Sequence, residues 1–463
     1  MARALHCQKL ASQFIAQRGT VGGIRRLHFA QGDFWWWDGG VYRRLPSRGY
    51  HCQDLNDRIL QWMRGLWGRA GPLDDDPEPW AFSKLTFEWV CDNVQAILRT
   101  TSPGSMPRWI HPEDDDERND VWIGFPNGVL SASSLRRGNP KFVRVNPRWF
   151  STNIMPYVYE PAATCPLWEA AIREWLDGDL DTIKFVQEYI GYCMVPPHGK
   201  FPIALFLEGE GANGKTVFCE TVEALVGPAN RSAVPLEKFG HNFRLYDTLG
   251  CLINVCSEVD EKTTLPTHVI KKFVDQETIT FDRKYHVGVT TRPTARLIIS
   301  WNRRPSVTDT SHGFWRRVRV VPFRHRYREV DADPFFKFKL QRELQGIFNW
   351  AMRGYCRLME AGWFTESEAS VSVTTQFRRE SDPLGTFLGN HVSVSEGGHV
   401  SKRTLYNEYC GWASDMGMEA VSVNAFTRAI RRKFPGASVV RLRDDNGKRC
   451  QYYTGVVLDK ESL

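Results

Sequence analysis

The sequence predicts an α/β protein: a doubly wound core carrying a phosphate-binding loop, an α+β domain before it and a winged-helix domain after it. Three observations lead there. Gly209 to Thr216 reads GEGANGKT and fits the pattern G-x-x-x-x-G-K-[ST] at every fixed position. Three further apolar runs of strand length follow in order, within CLINVC, ARLIIS and VRVVPF. From Asp382 onward the pattern is helix, helix, β-ribbon.

Composition sets the bounds. A chain of 463 residues is too long for one ordinary domain, and 42% hydrophobic with 13% aromatic residues suffices for several cores. The net charge of +7 is mildly basic and suits a polyanionic partner. Eleven cysteines without a C-x-x-C pair or zinc spacing read as reduced thiols of an intracellular, cytoplasmic protein. No apolar run approaches the roughly 18 residues of a membrane span, so no membrane partner is expected.

In chain order, GDFWWWDGGVYRRL predicts a strand pair turned at Asp38-Gly39-Gly40, its tryptophans used in a small core rather than for stacking bases. Leu55–Leu66 and Leu85–Leu98 have helical periodicity. The acidic stretches LDDDPEP and PEDDDERND read as solvated loops rather than metal sites. VWIGFPNGVL is a strand and turn, and a helical segment through Trp168, Trp175 and Tyr189 leads to a boundary near Pro197. Leu340–Gly362 is amphipathic and expected to pack on the core.

The loop carries the chemistry. Glycines let the backbone N–H groups from Gly209 through Glu210, Gly211, Ala212, Asn213 and Gly214 point into one concavity at a helix N-terminus. Lys215 can then reach the outer phosphates of ATP, and the Thr216 hydroxyl is placed for Mg²⁺. Glu258 and Asp260 follow the second strand, where a carboxylate can hold the water shell of Mg²⁺ or polarise the attacking water. Asn302 ends the third strand, between the other two strand ends, and could sense the γ-phosphate. Arg316 and Arg317 stand at the mouth of the next.

Two basic groups point to nucleic acid. Between the second and third strands, Thr278–Phe281 and His286–Thr290 alternate like a hairpin with Arg283, Lys284, Tyr285 and His286 near its tip. Cations there contact phosphate without reading bases, and Tyr285 can stack on any base. Near the C-terminus, Arg428, Arg431, Arg432, Lys433, Arg441, Arg443, Lys448 and Arg449 face only two acids, a net excess of six on a presumptive helix and wing turned at Asp445-Asn446-Gly447.

The order GEGANGKT, LINVCSEVD, RLIISWN and GFWRRVRVVPF resembles the superfamily 3 helicases, in particular the primase-helicases of phages, plasmids and large DNA viruses. VWIGFPNGVL with CPLWEAAIREWLDGD resembles the region before their helicase part, and QGIFNWAMRGYCRLMEAG the region after it. The resemblance implies an AAA+-like P-loop NTPase core assembled as a ring, usually a hexamer, which hydrolyses ATP at subunit interfaces and threads single-stranded DNA from a fork. It implies that Arg316 or Arg317 completes a neighbour's site, and that Lys284 and His286 follow the threaded strand. Many members have two adjacent acids where this chain has Ser257-Glu258, which makes Glu258 a stronger candidate than Asp260. The first 200 residues lack a polymerase-type carboxylate constellation, so priming is expected of a separate primase or polymerase. The expected domains are 1–165, an aromatic-rich N-terminal domain; 166–197, a helical connector; 198–370, the ATPase core; and 375–463, the winged-helix domain. The same site also suits an origin-binding initiator assembled by ATP, or a packaging or RNA-directed motor.

Overall fold

A computed structural model describes residues 2–45, 52–67, 84–101, 108–110, 113, 119–195, 201–240, 243–259, 261, 263–282, 288–307, 309, 311–328, 333–443 and 447–459. Contacts divide the chain into two units, Met1–Pro305 with Arg316–Val371, and Ser306–Trp315 with Ser372–Leu463. The expected N-terminal domain and most of the expected core thus belong to one unit. The segment 306–315, inside the span expected of the core, belongs to the other. The expected boundary near Pro197 lies outside the described residues.

The first unit opens with α1 (Ala2–Gln17), then an antiparallel three-stranded sheet of β1 (Leu27–Ala30), β2 (Asp33–Trp37) and β3 (Tyr42–Leu45). Alternation sends successive tryptophans of β2 to opposite faces. Trp36 joins the core formed with α1, α2 (Gln53–Trp67) and α3 (Lys84–Thr100), while Trp35 joins a smaller cluster with Tyr42 and Phe150. Both are buried, and Trp36 is flanked by the guanidinium groups of Arg26 and Arg58 at 4.4 and 4.6 Å from its ring centre. These rings are core, as expected. LDDDPEP and most of PEDDDERND lie outside the described residues. Asp120, which closes the second, accepts hydrogen bonds from Ser131 and Ser133.

The hairpin of β4 (Trp122–Phe125) and β5 (Gly128–Ser131) leads to α4 (Pro166–Trp175) and α5 (Leu180–Met194). Next come β6 (Ala204–Glu208), α6 (Lys215–Val226), β7 (Arg231–Ser232), β8 (Ile253–Cys256), α7 (Thr267–Val274), the hairpin of β9 (Ile279–Phe281) and β10 (Val289–Thr291), β11 (Arg296–Trp301) and β12 (Val318–Pro322). The core sheet is parallel throughout, in the order β7-β8-β11-β6-β12. Its apolar strands are buried on both faces, as a parallel sheet requires. α8 (Leu344–Ala361) crosses α5 so closely that a Cβ on Gly191 would collide with the Ala351 carbonyl, and one on Gly354 with the Gln187 backbone.

The second unit contains α9 (Pro383–Asn390), β13 (Val392–Ser401), α10 (Lys402–Asp415), α11 (Val423–Lys433), β14 (Ser438–Arg443) and β15 (Arg449–Leu458). The helix, helix, ribbon order is as expected. The sequence did not show β13, which adds a third strand along β15 and makes the sheet order β13-β15-β14. Among the described residues, no helix is long and apolar enough to cross a membrane. No two cysteines pair: all eleven are free, eight of them buried.

Candidate functional site

The loop from Gly209 to Gly214 joins β6 to α6 at the carboxyl end of the parallel strands, where open α/β sheets place their ligands. Two of its glycines, Gly209 and Gly214, are sterically required. A Cβ on Gly209 would strike Asn213 and the Phe323 carbonyl. Gly214, at φ 90°, has the Trp175 indole against the place a Cβ would occupy. Gly211 and Ala212 also take left-handed backbone, with φ of 106° and 47°. The loop is held from behind: Tyr327 N donates to Ala212 O at 2.8 Å, and Asn213 Nδ2 to Phe323 O at 3.2 Å.

Lys215 begins α6 and is almost fully buried; its Nζ donates to Gly209 O at 2.5 Å and to Asn213 Oδ1 at 3.0 Å. Burial lowers the pKa of this ammonium, opposed by Cys219, Glu258 and Glu208. Thr216 is exposed in the first turn of α6, and Glu210 and Gly211 complete the rim. Backbone donors at a helix N-terminus, a lysine at the loop and an exposed hydroxyl are a donor set that fits Mg²⁺–ATP.

Because β11 lies between β8 and β6, Asn302 leaves the sheet between Cys256 and Glu208, exposed. Glu258 is exposed just beyond β8 at φ 59°, a left-handed backbone uncommon outside glycine. Asp260 lies outside the described residues. Sequence reasoning missed one pair. Glu208, the last residue of β6, takes a fork of Arg304 at 2.6 and 2.8 Å and the Trp301 indole N–H at 3.2 Å. This ties the root of the loop to the segment carrying Asn302. The signal was present only as two opposite charges far apart in sequence.

The two candidate arginines differ. Arg317 is buried and forks onto Asp275, with Nε to Oδ1 at 2.6 Å and Nη2 to Oδ2. Arg316 is exposed. Both precede β12, whose first residue pairs with Ala204 at the start of β6, whereas the loop leaves the end of β6. Arg316 is thus roughly 20 Å along the strands from its own chain's loop.

Of the candidate DNA contacts, Arg283, Lys284, Tyr285 and His286 lie outside the described residues. The hairpin that carries them is paired from Ile279–Thr291 to Phe281–Val289. In the second unit, α11 buries Phe426, Ala429 and Ile430 and exposes Arg428, Arg431 and Arg432 on its other side. Lys433 is also exposed as a residue, but its Nζ donates to Gly385 O at 2.7 Å, and partial desolvation there lowers its pKa. In the ribbon Tyr453 reaches Thr427 of α11, and the same face continues outward to Arg449 and its cross-strand partner Arg443, with Arg441 two residues along. Lys448 is exposed beside them. Asp445 and Asn446 of the expected turn lie outside the described residues.

Two family models match the chain: a family of unknown function (DUF5906) over residues 207–317, and the RFX DNA-binding domain over residues 384–460. The protein named "Putative helicase L207/L206" of Acanthamoeba polyphaga mimivirus is 20% identical over 329 residues, 64% of this chain and 33% of that protein. The chain therefore spans about a third of that curated relative. An apo structure of the NrS-1 C-terminal region superposes with a TM-score of 0.56 at 11% identity, covering 97% of this chain and 99% of that one. A second apo structure of the same region, its A form, gives 0.53 at 10% identity, covering 92% and 95%. At such identities the likeness is one of fold. The chain is thus similar in sequence to a viral protein named as a helicase, shares the fold of the NrS-1 C-terminal region, and matches a DNA-binding domain near its C-terminus.

Proposed function

We propose that this protein is an ATP-driven replicative DNA helicase of the superfamily 3 type, built on a P-loop NTPase core and working as a ring, usually of six subunits. The observation that carries the reading is the loop Gly209–Thr216 at the carboxyl end of the parallel sheet, with Glu258 and Asn302 leaving neighbouring strand ends beside it. Bound Mg²⁺–ATP supplies the phosphoanhydride whose hydrolysis drives movement. Lys215 neutralises the outer phosphates, Thr216 is the metal's hydroxyl ligand, and Glu258, with Asp260 as the weaker candidate, orients the attacking water. Asn302 senses the terminal phosphate.

Arg316, exposed and remote from its own loop, serves the neighbouring subunit, while Arg317 holds its place through Asp275. The β9–β10 hairpin grips the single strand through Arg283, Lys284, Tyr285 and His286, and the basic face of α11 and the ribbon holds duplex. The match to a DNA-binding domain and the similarity to a protein named as a helicase support nucleic acid as the partner. That match also favours a second reading, an initiator that binds duplex site-specifically and uses ATP only to assemble. Hydrolysis and strand displacement measured on DNA and RNA forks with each overhang decide between them. A helicase shows hydrolysis stimulated by single-stranded DNA and unwinds the fork. Duplex binding and ATP-dependent assembly without displacement would favour the initiator.

A further inference from the structure

A buried guanidinium is costly unless an anion answers it, and its donors are normally all engaged. Arg296, the first residue of β11, is 5% exposed. Its Nη1 donates to Thr294 O at 2.7 Å, and its guanidinium carbon lies 4.1 Å from the centre of the Tyr192 ring. Its Nε and Nη2 are buried and find no acceptor among the described residues. Those two donors share one edge of the guanidinium and point the same way. That edge matches two oxygens of a single carboxylate or phosphate.

Arg296 lines a cavity of about 380 Å³, a size that suits a small ligand. Arg136 lines it too, as a second cation, and Tyr192, Phe201, Tyr355 and Met359 give it aromatic and apolar walls. The carboxylate of Asp120 is also at the wall but does not answer Arg296. Its oxygens accept from the backbone N–H groups of Val121 and Ser133 and from the hydroxyls of Ser131 and Ser133. The cavity meets β11 at its first residue, whereas Asn302 follows the last. The two ends are about 17 Å apart along the strand, so this is not the nucleotide loop.

We propose that this cavity is a second ligand site, taking a small organic anion with a carboxylate or phosphate-monoester head group on a flat, apolar body. The guanidinium groups of Arg296 and Arg136 supply the charge that holds the head group, and Phe201 and Tyr355 cover the body.

Calorimetric titration of the full chain with benzoate, phenyl phosphate and the neutral analogue benzamide tests the proposal. Benzoate or phenyl phosphate should bind at one site, and their ratio shows which head group is preferred. Benzamide should bind at least about tenfold more weakly, the scale expected for losing one charge-assisted fork. Arg296→Met should abolish anion binding, Arg136→Ala should weaken it, and Lys215→Ala should leave it unchanged. With no probe present, Arg296→Met should melt no lower than the parent, because it removes an unanswered buried charge. The proposal is overturned if neither anion binds, if benzamide binds equally well, if Arg296→Met retains binding, or if Lys215→Ala removes it. Should Arg296→Met fail to fold, the site is still decided by Arg136→Ala: unchanged anion affinity in that variant overturns it.

Discussion

Arg317 and Asp275 form a two-pronged ion pair between the residue entering β12 and the residue capping α7. Arg317 has an 8% exposed side chain and Asp275 a 21% exposed one. Removing either partner strands the other, so Arg317→Ala should cost about 3 kcal/mol and lower the melting temperature by several degrees. Arg316→Ala, at an exposed position, should shift stability by no more than about 0.5 kcal/mol. Thermal melts of the two variants check this. Equal loss in both, or none in Arg317→Ala, would show that the pair is not what separates these neighbours.

If Arg316 serves an adjoining subunit, its loss is complementable. A Lys215→Ala subunit mixed with an Arg316→Ala subunit should regain some hydrolysis, because some interfaces then join an intact loop to an intact arginine. No recovery at any ratio, with mixed rings shown to form, would put Arg316 to work within its own chain.

Lys215→Ala should abolish hydrolysis and leave DNA affinity largely intact. The side chain is buried at the loop, where its Nζ donates to Gly209 O and Asn213 Oδ1. Loss of DNA affinity by this variant without nucleotide would contradict the separation of the two sites.

The loop was legible because its pattern is local: glycines at fixed spacing, an apolar run before and a helical period after. The strands of the core were legible for the same reason, but their neighbours are decided by tertiary packing. The insertion of β11 between β8 and β6 puts Asn302 between the other two strand ends, as expected of its place in the sheet. The fork of Arg304 on Glu208 had no local trace. Adjacency of Arg316 and Arg317 says only that they point apart. Strand β13 was missed because its pairing with β15 shifts register between Val394 and His399, around Gly397-Gly398, which breaks the two-residue period. Arg296 reads as an ordinary charge at a strand start, and its burial arises from helices far away in sequence.

If the β9–β10 hairpin grips a threaded strand, replacing Lys284 and His286 together by alanine should uncouple hydrolysis from unwinding. Basal hydrolysis is kept, stimulation by single-stranded DNA and unwinding are lost, and duplex affinity through Arg428, Arg431 and Arg432 changes little. Normal unwinding by the double variant would sink the role of the hairpin.

His28 predicts a pH effect on stability. Its ring is buried between Tyr42 and Phe150, and Nε2 meets Arg25 O at 3.1 Å. Burial pushes its pKa down to about 4, with the Arg25 charge a smaller contribution in the same direction. The unfolded chain takes up its proton near pH 6.5 and the folded one only near 4. Stability should therefore fall as pH drops through that window, by up to about 3 kcal/mol, and the imidazole contributes no further change below it. His28→Gln should flatten that part of the curve in denaturant titrations. An unchanged slope would assign the effect to other groups.

The contact of α5 with α8 through Gly191 and Gly354 also bears on how such a chain can change length over evolutionary time. Adding or deleting one residue in either helix turns everything beyond it by about 100°, which swings the glycine away and brings a side chain against the opposing backbone. Homologous chains that keep this pair should therefore place their insertions and deletions outside both helices, in the connecting loops, whatever else in the sequence has drifted.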